Sequence, residues 1–304
     1  MKNFINYYYN LSIKDIYFDN KKYIFNDGNF TYILKVFNDV NFFSYYSDLD
    51  YELKKYENFF TVIKNVNNNY ITLINNEPYI LLRNSNVTNT TISIFDIKID
   101  QFVTYNNKLT NLIRFPWFQL WENKVDYFET IFYSNQNKYK DIYALFQYFI
   151  GISENAILYL KNCDKEEKKD FADNMVISHN RMSVESEVYD YYDPTNIIFD
   201  HCSRDISEYV KSLFINESFD MMMFEDYLKS NKFSKYGLRM IYARIIFPSF
   251  FFDYVEDMLF HNDKSRLLEL EAKIDYFEKF IKDISTLFKN TYDIPVIPWI
   301  IKGT

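Results

Sequence analysis

Residues 21–37 read KKYIFNDGNFTYILKVF, and the pair Asp27-Gly28 in the middle of this string decides the character of the first part of the chain. Two runs rich in β-branched and aromatic residues flank a dipeptide whose glycine tolerates the positive φ of a tight turn, which predicts an antiparallel hairpin. A second hairpin follows, with Tyr70 to Ile74 and Tyr79 to Leu82 flanking the turn Asn75-Asn76-Glu77-Pro78. Between the hairpins, DLDYELKKYENFFTVIKN (48–65) places Leu53, Tyr56, Phe60 and Ile63 near one face of a helix. The chain thus opens as a small sheet with one helix.

From about residue 112 the period becomes helical. Trp117, Trp121, Val125 and Phe128 recur at spacings of three and four, and Leu145 to Phe149 leads to Gly151, read as a helix stop before the cap Ser153 and the run ENAILYLKN. Ser203 or Asp205 opens a further helix with Ile206, Tyr209, Val210, Leu213 and Phe214 on one face. Near the C-terminus, Leu267, Leu270, Ile274, Phe277, Ile281, Ile284 and Phe288 form the stripe of one long amphipathic helix packed on its own domain, or else a coiled-coil seam for a partner. Pro295 and Pro298 end it. The division expected from these patterns is 1–88, a sheet-plus-helix part, and 89–304, a mostly helical part.

Composition bounds the function. A chain of 304 residues with 48% hydrophobic and 25% charged residues buries a large core. The 31 Phe and 29 Tyr, beside abundant Asn, Lys and Ile, reflect an AT-rich coding sequence before they indicate binding surfaces. A net charge of -8 and a pI near 5.1, with no basic stripe, argue against nucleic acid as a partner, because phosphate binding needs clustered Lys and Arg. Cys163 and Cys202 cannot staple a chain this size, so a reducing compartment is expected. The N-terminus MKNFINYYYNLSIKD lacks an apolar signal region, and the run Ile245 to Phe252 contains Pro248 and is too short to span a bilayer. A soluble, non-exported protein with no transmembrane segment is expected.

Specific strings narrow the fold. LFQYFIGISENAILYLKN (145–162), VISHNRM (176–182), NIIFDHCSRDISEYVK (196–211), YGLRMIYARIIFPSFFFDYVE (236–256) and IPVIPWI (294–300) together resemble the YutH-type spore-coat proteins. These belong to the CotS-like group, itself similar to aminoglycoside phosphotransferases. The resemblance runs from the second hairpin to the C-terminus, and more faintly over the first 60 residues. It implies an α+β, bilobal, protein-kinase-like (aminoglycoside phosphotransferase-like) fold, with a small antiparallel sheet lobe before a larger helical lobe. It also implies synthesis in the mother-cell cytoplasm, a place in the spore coat, and other coat proteins as partners.

Activity has to be argued at each position. Active relatives of this fold use a His-x-Asp-x-x-x-x-Asn loop, whose aspartate orients or deprotonates the acceptor hydroxyl and whose asparagine helps hold Mg²⁺. Here His179 matches the first position, Arg181 stands at the aspartate and Ser186 at the asparagine, which makes 176–205 a degenerate catalytic region. A guanidinium cannot serve as a base near neutral pH. Asp190 and Asp193 lie where a second metal ligand would be sought, in no clean Asp-Phe-Gly string; acidic turn residues are the plainer reading. Asp200 could be mistaken for that ligand, whereas the family register suggests Asn196 near its place. Lys35 is the candidate strand lysine for phosphates with Glu52 as its partner, or simply an exposed strand residue. By resemblance, Asp205 braces the His179 loop; it can equally be a first-turn carboxylate stabilised by the helix dipole.

Of four glycines, Gly28, Gly151, Gly237 and Gly303, only Gly28 falls in the sheet part, and Asp27 beside it would repel a phosphate. His201-Cys202 has no metal-ligand spacing and Ser178-His179 no nucleophile elbow. Two functions remain: a catalytically inactive, kinase-shaped coat-assembly protein needing no cofactor, or an atypical phosphotransferase using ATP and Mg²⁺ through Lys35 and Asp190 or Asp193. Arg181 suggests in addition an ion pair with Glu185 or Glu187, or an anionic group on a partner.

Overall fold

The computed structural model describes residues 1–19, 21–85, 87–99, 101–103, 107–114, 116–135 and 137–302. Gly303 lies outside them. The chain begins with α1 (Lys2–Tyr9), β1 (Tyr17–Asp19), β2 (Lys22–Asn26), β3 (Thr31–Val36), α2 (Tyr46–Leu53), β4 (Thr61–Ile63), β5 (Thr72–Ile74) and β6 (Glu77–Asn84). It continues as α3 (Trp117–Ser134), α4 (Tyr143–Glu166), β7 (Met175–His179), α5 (Val188–Tyr191) and β8 (Ile197–His201). It closes as α6 (Ser203–Ile215), α7 (Met221–Ser230), α8 (Lys235–Ile246), α9 (Ser249–His261), α10 (Ser265–Ala272), α11 (Ile274–Tyr292) and α12 (Pro298–Lys302).

Two compact units result, and the division is not a single cut. One gathers residues 1–92, 103–113 and 185–198; the other holds 93–102, 114–184 and 199–304.

The first unit is built on a sheet of order β1-β2-β3-β6-β4, with β5 also pairing β6, every neighbour antiparallel. Gly28 has φ +96°, and Asp27 Oδ1 closes the turn by accepting from the backbone N–H groups of Asn29 (2.9 Å) and Phe30 (2.8 Å). Asp27 is thus occupied by its own turn. In the second hairpin Asn75 and Asn76 both take positive φ and form the whole turn, so Glu77 and Pro78 already belong to β6. Asparagine tolerates that backbone region better than most side chains.

The helix expected over 48–65 stops at Leu53, and Thr61–Ile63 is β4, paired with β6. Phe60, just before β4, and Val62 within it are buried, and the Val62 N–H donates to the Tyr46 hydroxyl at 2.7 Å. Over so short a run apolar spacing fits either period, and β4 is fixed by a partner strand that lies well outside it. Alternation divides the sheet faces. Phe25, Tyr32, Leu34, Tyr79 and Leu81 pack with Ile5, Tyr9 and Ile13, each such burial contributing about 1.5–3 kcal/mol. Lys22, Ile24, Ile33 and Lys35 alternate with that set, and the register places Lys22 directly opposite Lys35.

In the second unit α4 runs unbroken through Gly151, contrary to the predicted stop. Phe149, Ile150, Ile152, Ala156 and Ile157 are all buried there, and packing outweighs the roughly 1 kcal/mol that a mid-helix glycine costs. Ser153 is no cap; its hydroxyl donates back to the Phe149 carbonyl at 2.7 Å. The C-terminal stripe is divided at Lys273 between α10 and α11 and turned inward. The Phe277 ring lies 5.4 Å from Phe149, 5.6 Å from Phe214 and 5.9 Å from Phe250, so the stripe fills this unit's own core. No described helix is long and apolar enough to cross a membrane.

Candidate functional site

The candidate residues fall in both units. In the sheet unit, Lys35 is not the exposed strand residue that alternation allows: only 16% of its side chain is accessible. Its ammonium is bound to the Asp193 carboxylate and donates to Thr195 Oγ1 at 2.5 Å. Glu52 is not its partner. That carboxylate is buried on α2 and paired with Lys55 one turn away, at 2.5 Å.

Asp190 is likewise taken, by Lys22. Both aspartates are also fixed by their own backbone. Asp190 Oδ2 accepts from the Glu187 N–H (3.2 Å) at the start of α5, and Asp193 Oδ1 accepts from the N–H (2.9 Å) and hydroxyl (2.7 Å) of Thr195. The segment carrying them is joined to residues 89–92: the Val188 N–H donates to the Thr90 carbonyl, the Ile92 N–H to the Ser186 carbonyl, and Asn89 Nδ2 to Glu187 Oε2 at 2.7 Å.

In the helical unit the loop after β7 is held from beneath by α6. Asp205 takes two bonds from His179: Oδ1 from the backbone N–H at 3.0 Å and Oδ2 from ring Nδ1 at 2.7 Å. Arg204, the neighbour of Asp205, donates from Nε to the His179 carbonyl and from Nη2 to the Asn180 carbonyl, each at 2.7 Å. The loop backbone is thereby satisfied by two consecutive side chains at the start of α6.

Asp200 is 2% exposed and fully engaged. Its oxygens accept from Trp117 Nε1 (2.7 Å), from Arg244 Nη2 (3.0 Å to each oxygen) and from Arg204 Nη1 (3.4 Å). Both guanidiniums lie over the Trp117 ring, at 4.8 Å for Arg204 and 4.2 Å for Arg244.

Arg181 faces neither Glu185 nor Glu187. Its Nη1 donates to Glu208 at 3.0 Å and its Nη2 to Asp253 at 2.6 Å. Glu208 also accepts from Lys211 (2.8 Å), whose ammonium donates to Ser249 Oγ at 2.6 Å. Burial alone would raise the Glu208 carboxyl, but Lys211, Arg181 and Arg204 hold it well below the usual carboxylate range. Burial pulls the Lys211 ammonium down to about 8 despite Glu208. Burial raises the carboxyl of Asp253 against the pull of Arg181 and Lys124.

His201 and Cys202 are structural. The Ser203 N–H donates to His201 Nδ1 at 3.1 Å, so Nε2 carries the proton and gives it to Asp173 Oδ1 at 3.1 Å. Ser203 Oγ, 2.9 Å from Nδ1, completes a row like that of a hydrolase, yet Ser203 is wholly buried.

As placed, these residues do not fit Mg²⁺. Asp190 and Asp193 already carry ammonium ions, Asp200 carries two guanidiniums, and the described residues hold no group of three or more His, Cys, Asp or Glu placed to bind a metal. Sequence reasoning missed Lys22, Thr195, Trp117, Arg204, Glu208, Arg244 and Asp253. Only Lys22 had a readable signal, its position opposite Lys35 once the hairpin loop is set.

Comparisons with known proteins give the family and the fold. A family model described as "Spore coat putative kinase YutH" matches residues 2–289. The endospore coat-associated protein YutH of Bacillus subtilis (strain 168) is 27% identical over 217 residues, a match spanning 62% of this chain and 62% of that protein's length. Among solved structures, the amicoumacin kinase hAmiN in complex with AMP-PNP, Ca²⁺ and Ami is similar with a TM-score of 0.52 and 13% identity, covering 92% of each chain. The spectinomycin phosphotransferase APH(9)-Ia bound to AMP has a TM-score of 0.51 and 12% identity, covering 89% of this chain and 92% of that one. An aminoglycoside phosphotransferase from Alicyclobacillus acidocaldarius has a TM-score of 0.50 and 12% identity, covering 94% and 95%. The fold is that of these kinase-like enzymes.

Proposed function

The chain belongs to the spore-coat YutH family, and from that premise we propose that it is a catalytically inactive, kinase-shaped protein acting in assembly of the spore coat. The observation that carries this reading is Arg181. It stands where active relatives of the fold place their base, and it is tied to Glu208 and Asp253. A guanidinium accepts no proton, and one held by two carboxylates offers little charge to a phosphate.

Further support comes from the sheet unit, where Lys35 is neutralised by Asp193 and the only glycine, Gly28, sits in a turn closed by Asp27. What the fold retains is its bracing: Asp205 and Arg204 fix the loop whether or not chemistry occurs there. In this reading ATP and Mg²⁺ are not cofactors, the protein is made in the mother cell, and its partners are other coat proteins. The coat association in the name of the Bacillus subtilis relative supports that placement.

The test is a fluorescent fusion followed through sporulation in a spore-forming host. The fusion is expected to collect on the developing spore and to do so equally well as an Arg181→Ala variant. A fusion that stays diffuse in the mother cell contradicts the assembly role.

A further inference from the structure

Lys22 and Lys35 lie directly opposite each other across β2 and β3. Like charges in that position repel, and neither lysine is well hydrated, with 19% and 16% of their side chains accessible. The arrangement holds because a matching pair of carboxylates, Asp190 and Asp193, faces them from the segment Glu185–Ile198, one carboxylate to each ammonium.

The aspartates do not owe their positions to the lysines. Asp190 caps α5 through the Glu187 N–H, and Asp193 caps the turn Pro194–Asn196 through the Thr195 N–H. Two carboxylates three residues apart are therefore set by local backbone, and they need cations from elsewhere. Mg²⁺ is commonly held by one or two carboxylates completed by water and phosphate oxygens. Here the sheet supplies the positive charge covalently.

We propose that Lys22 and Lys35 are tethered counter-cations: they latch the segment Glu185–Ile198 onto the sheet and hold the two carboxylates that a divalent ion would otherwise neutralise. The inference rests on the reading of the fold as inactive, and it explains how such a fold keeps this segment ordered without a metal.

The test uses the full chain with Mg²⁺ or Ca²⁺ alone and no nucleotide, so that it fails independently of any nucleotide binding. The parent's thermal midpoint is expected to ignore millimolar Mg²⁺, Ca²⁺ or chelator. The double variant Lys22→Met, Lys35→Met should melt lower and exchange amide hydrogens faster across 185–198. Either cation should then raise its midpoint, with no such rise once Asp190→Asn and Asp193→Asn are added. If the double variant does not fold, the near-isosteric Asp193→Asn variant alone should show the faster exchange. The proposal is overturned if the divalent ion stabilises the parent, if removing the lysine charges leaves 185–198 as protected as before, or if the destabilised double variant gains nothing from either cation.

Discussion

The sheet unit and the helical unit each gather opposite charges among the candidate residues, and they neutralise them differently. Around the sheet the charges are paired one to one, Lys22 with Asp190 and Lys35 with Asp193. Beneath the His179 loop they are shared: Asp200 serves Arg204, Arg244 and Trp117, and Glu208 serves Arg181 and Lys211. A pair fails locally when one member is removed. A shared anion leaves several buried donors without a partner at once, so the two designs should respond unequally to single substitutions.

The largest effect is expected from Asp200→Ala, which strands the buried Arg244 guanidinium and the Trp117 Nε1–H and leaves Arg204 only its bonds to the His179 and Asn180 carbonyls. Losing one partner of a buried ion pair costs roughly 3–5 kcal/mol, and urea unfolding should show a loss at the upper end of that range. A loss under about 1 kcal/mol would mean that the helical network does not share its charges as described. Next comes Lys35→Met, in the paired design. Asp193 keeps its bonds from Thr195, so about 2–3 kcal/mol is expected, with the change confined by hydrogen exchange to the sheet unit.

Acid should distinguish the units further. The folded state holds the Glu208 carboxyl below its ordinary value, so the unfolded chain takes up that proton first. The stability from this group is complete above its unfolded value of about 4.3 and is lost as pH falls below it. Glu208→Gln should therefore narrow the gap between stabilities measured by urea unfolding at about pH 7 and about pH 3. An unchanged gap would remove Glu208 from the acid response.

A smaller loss, about 1–2 kcal/mol, is expected for Asp205→Asn, which keeps an acceptor for the His179 N–H but weakens the bond to the ring. The smallest should be Arg181→Ala. Half of that side chain is accessible (52%), and screened surface pairs contribute at most about 1 kcal/mol. A large loss there would assign Arg181 a scaffold role beyond replacing the base.

Much of the fold was legible because its signals are local. Asp27-Gly28 fixes the first hairpin through the conformational freedom of one glycine and the side chain of one aspartate. The stripe of α6 and the burial of Phe277, Ile281 and Ile284 follow from helical period alone. What was not legible depends on partners far along the chain. Thr61–Ile63 becomes a strand because β6 lies beside it, and Gly151 stays helical because its neighbours on α4 are buried. The same holds for the site. The missing base at Arg181 could be read from a seven-residue string, but its carboxylates, Glu208 and Asp253, are 27 and 72 residues away. Lys35 was found by its strand and Glu52 by the family pattern, yet the ion pair went to Asp193, 158 residues away.

The central claim is that the charges of this fold are spent on one another and no longer on a nucleotide. Calorimetric titration of ATP into the purified chain, with and without Mg²⁺, tests it most directly, with Lys35→Ala as the companion variant. The account predicts no binding heat at millimolar nucleotide under either condition. Mg²⁺-dependent binding that disappears in Lys35→Ala would contradict it, and would return the protein to the phosphotransferases whose fold it shares.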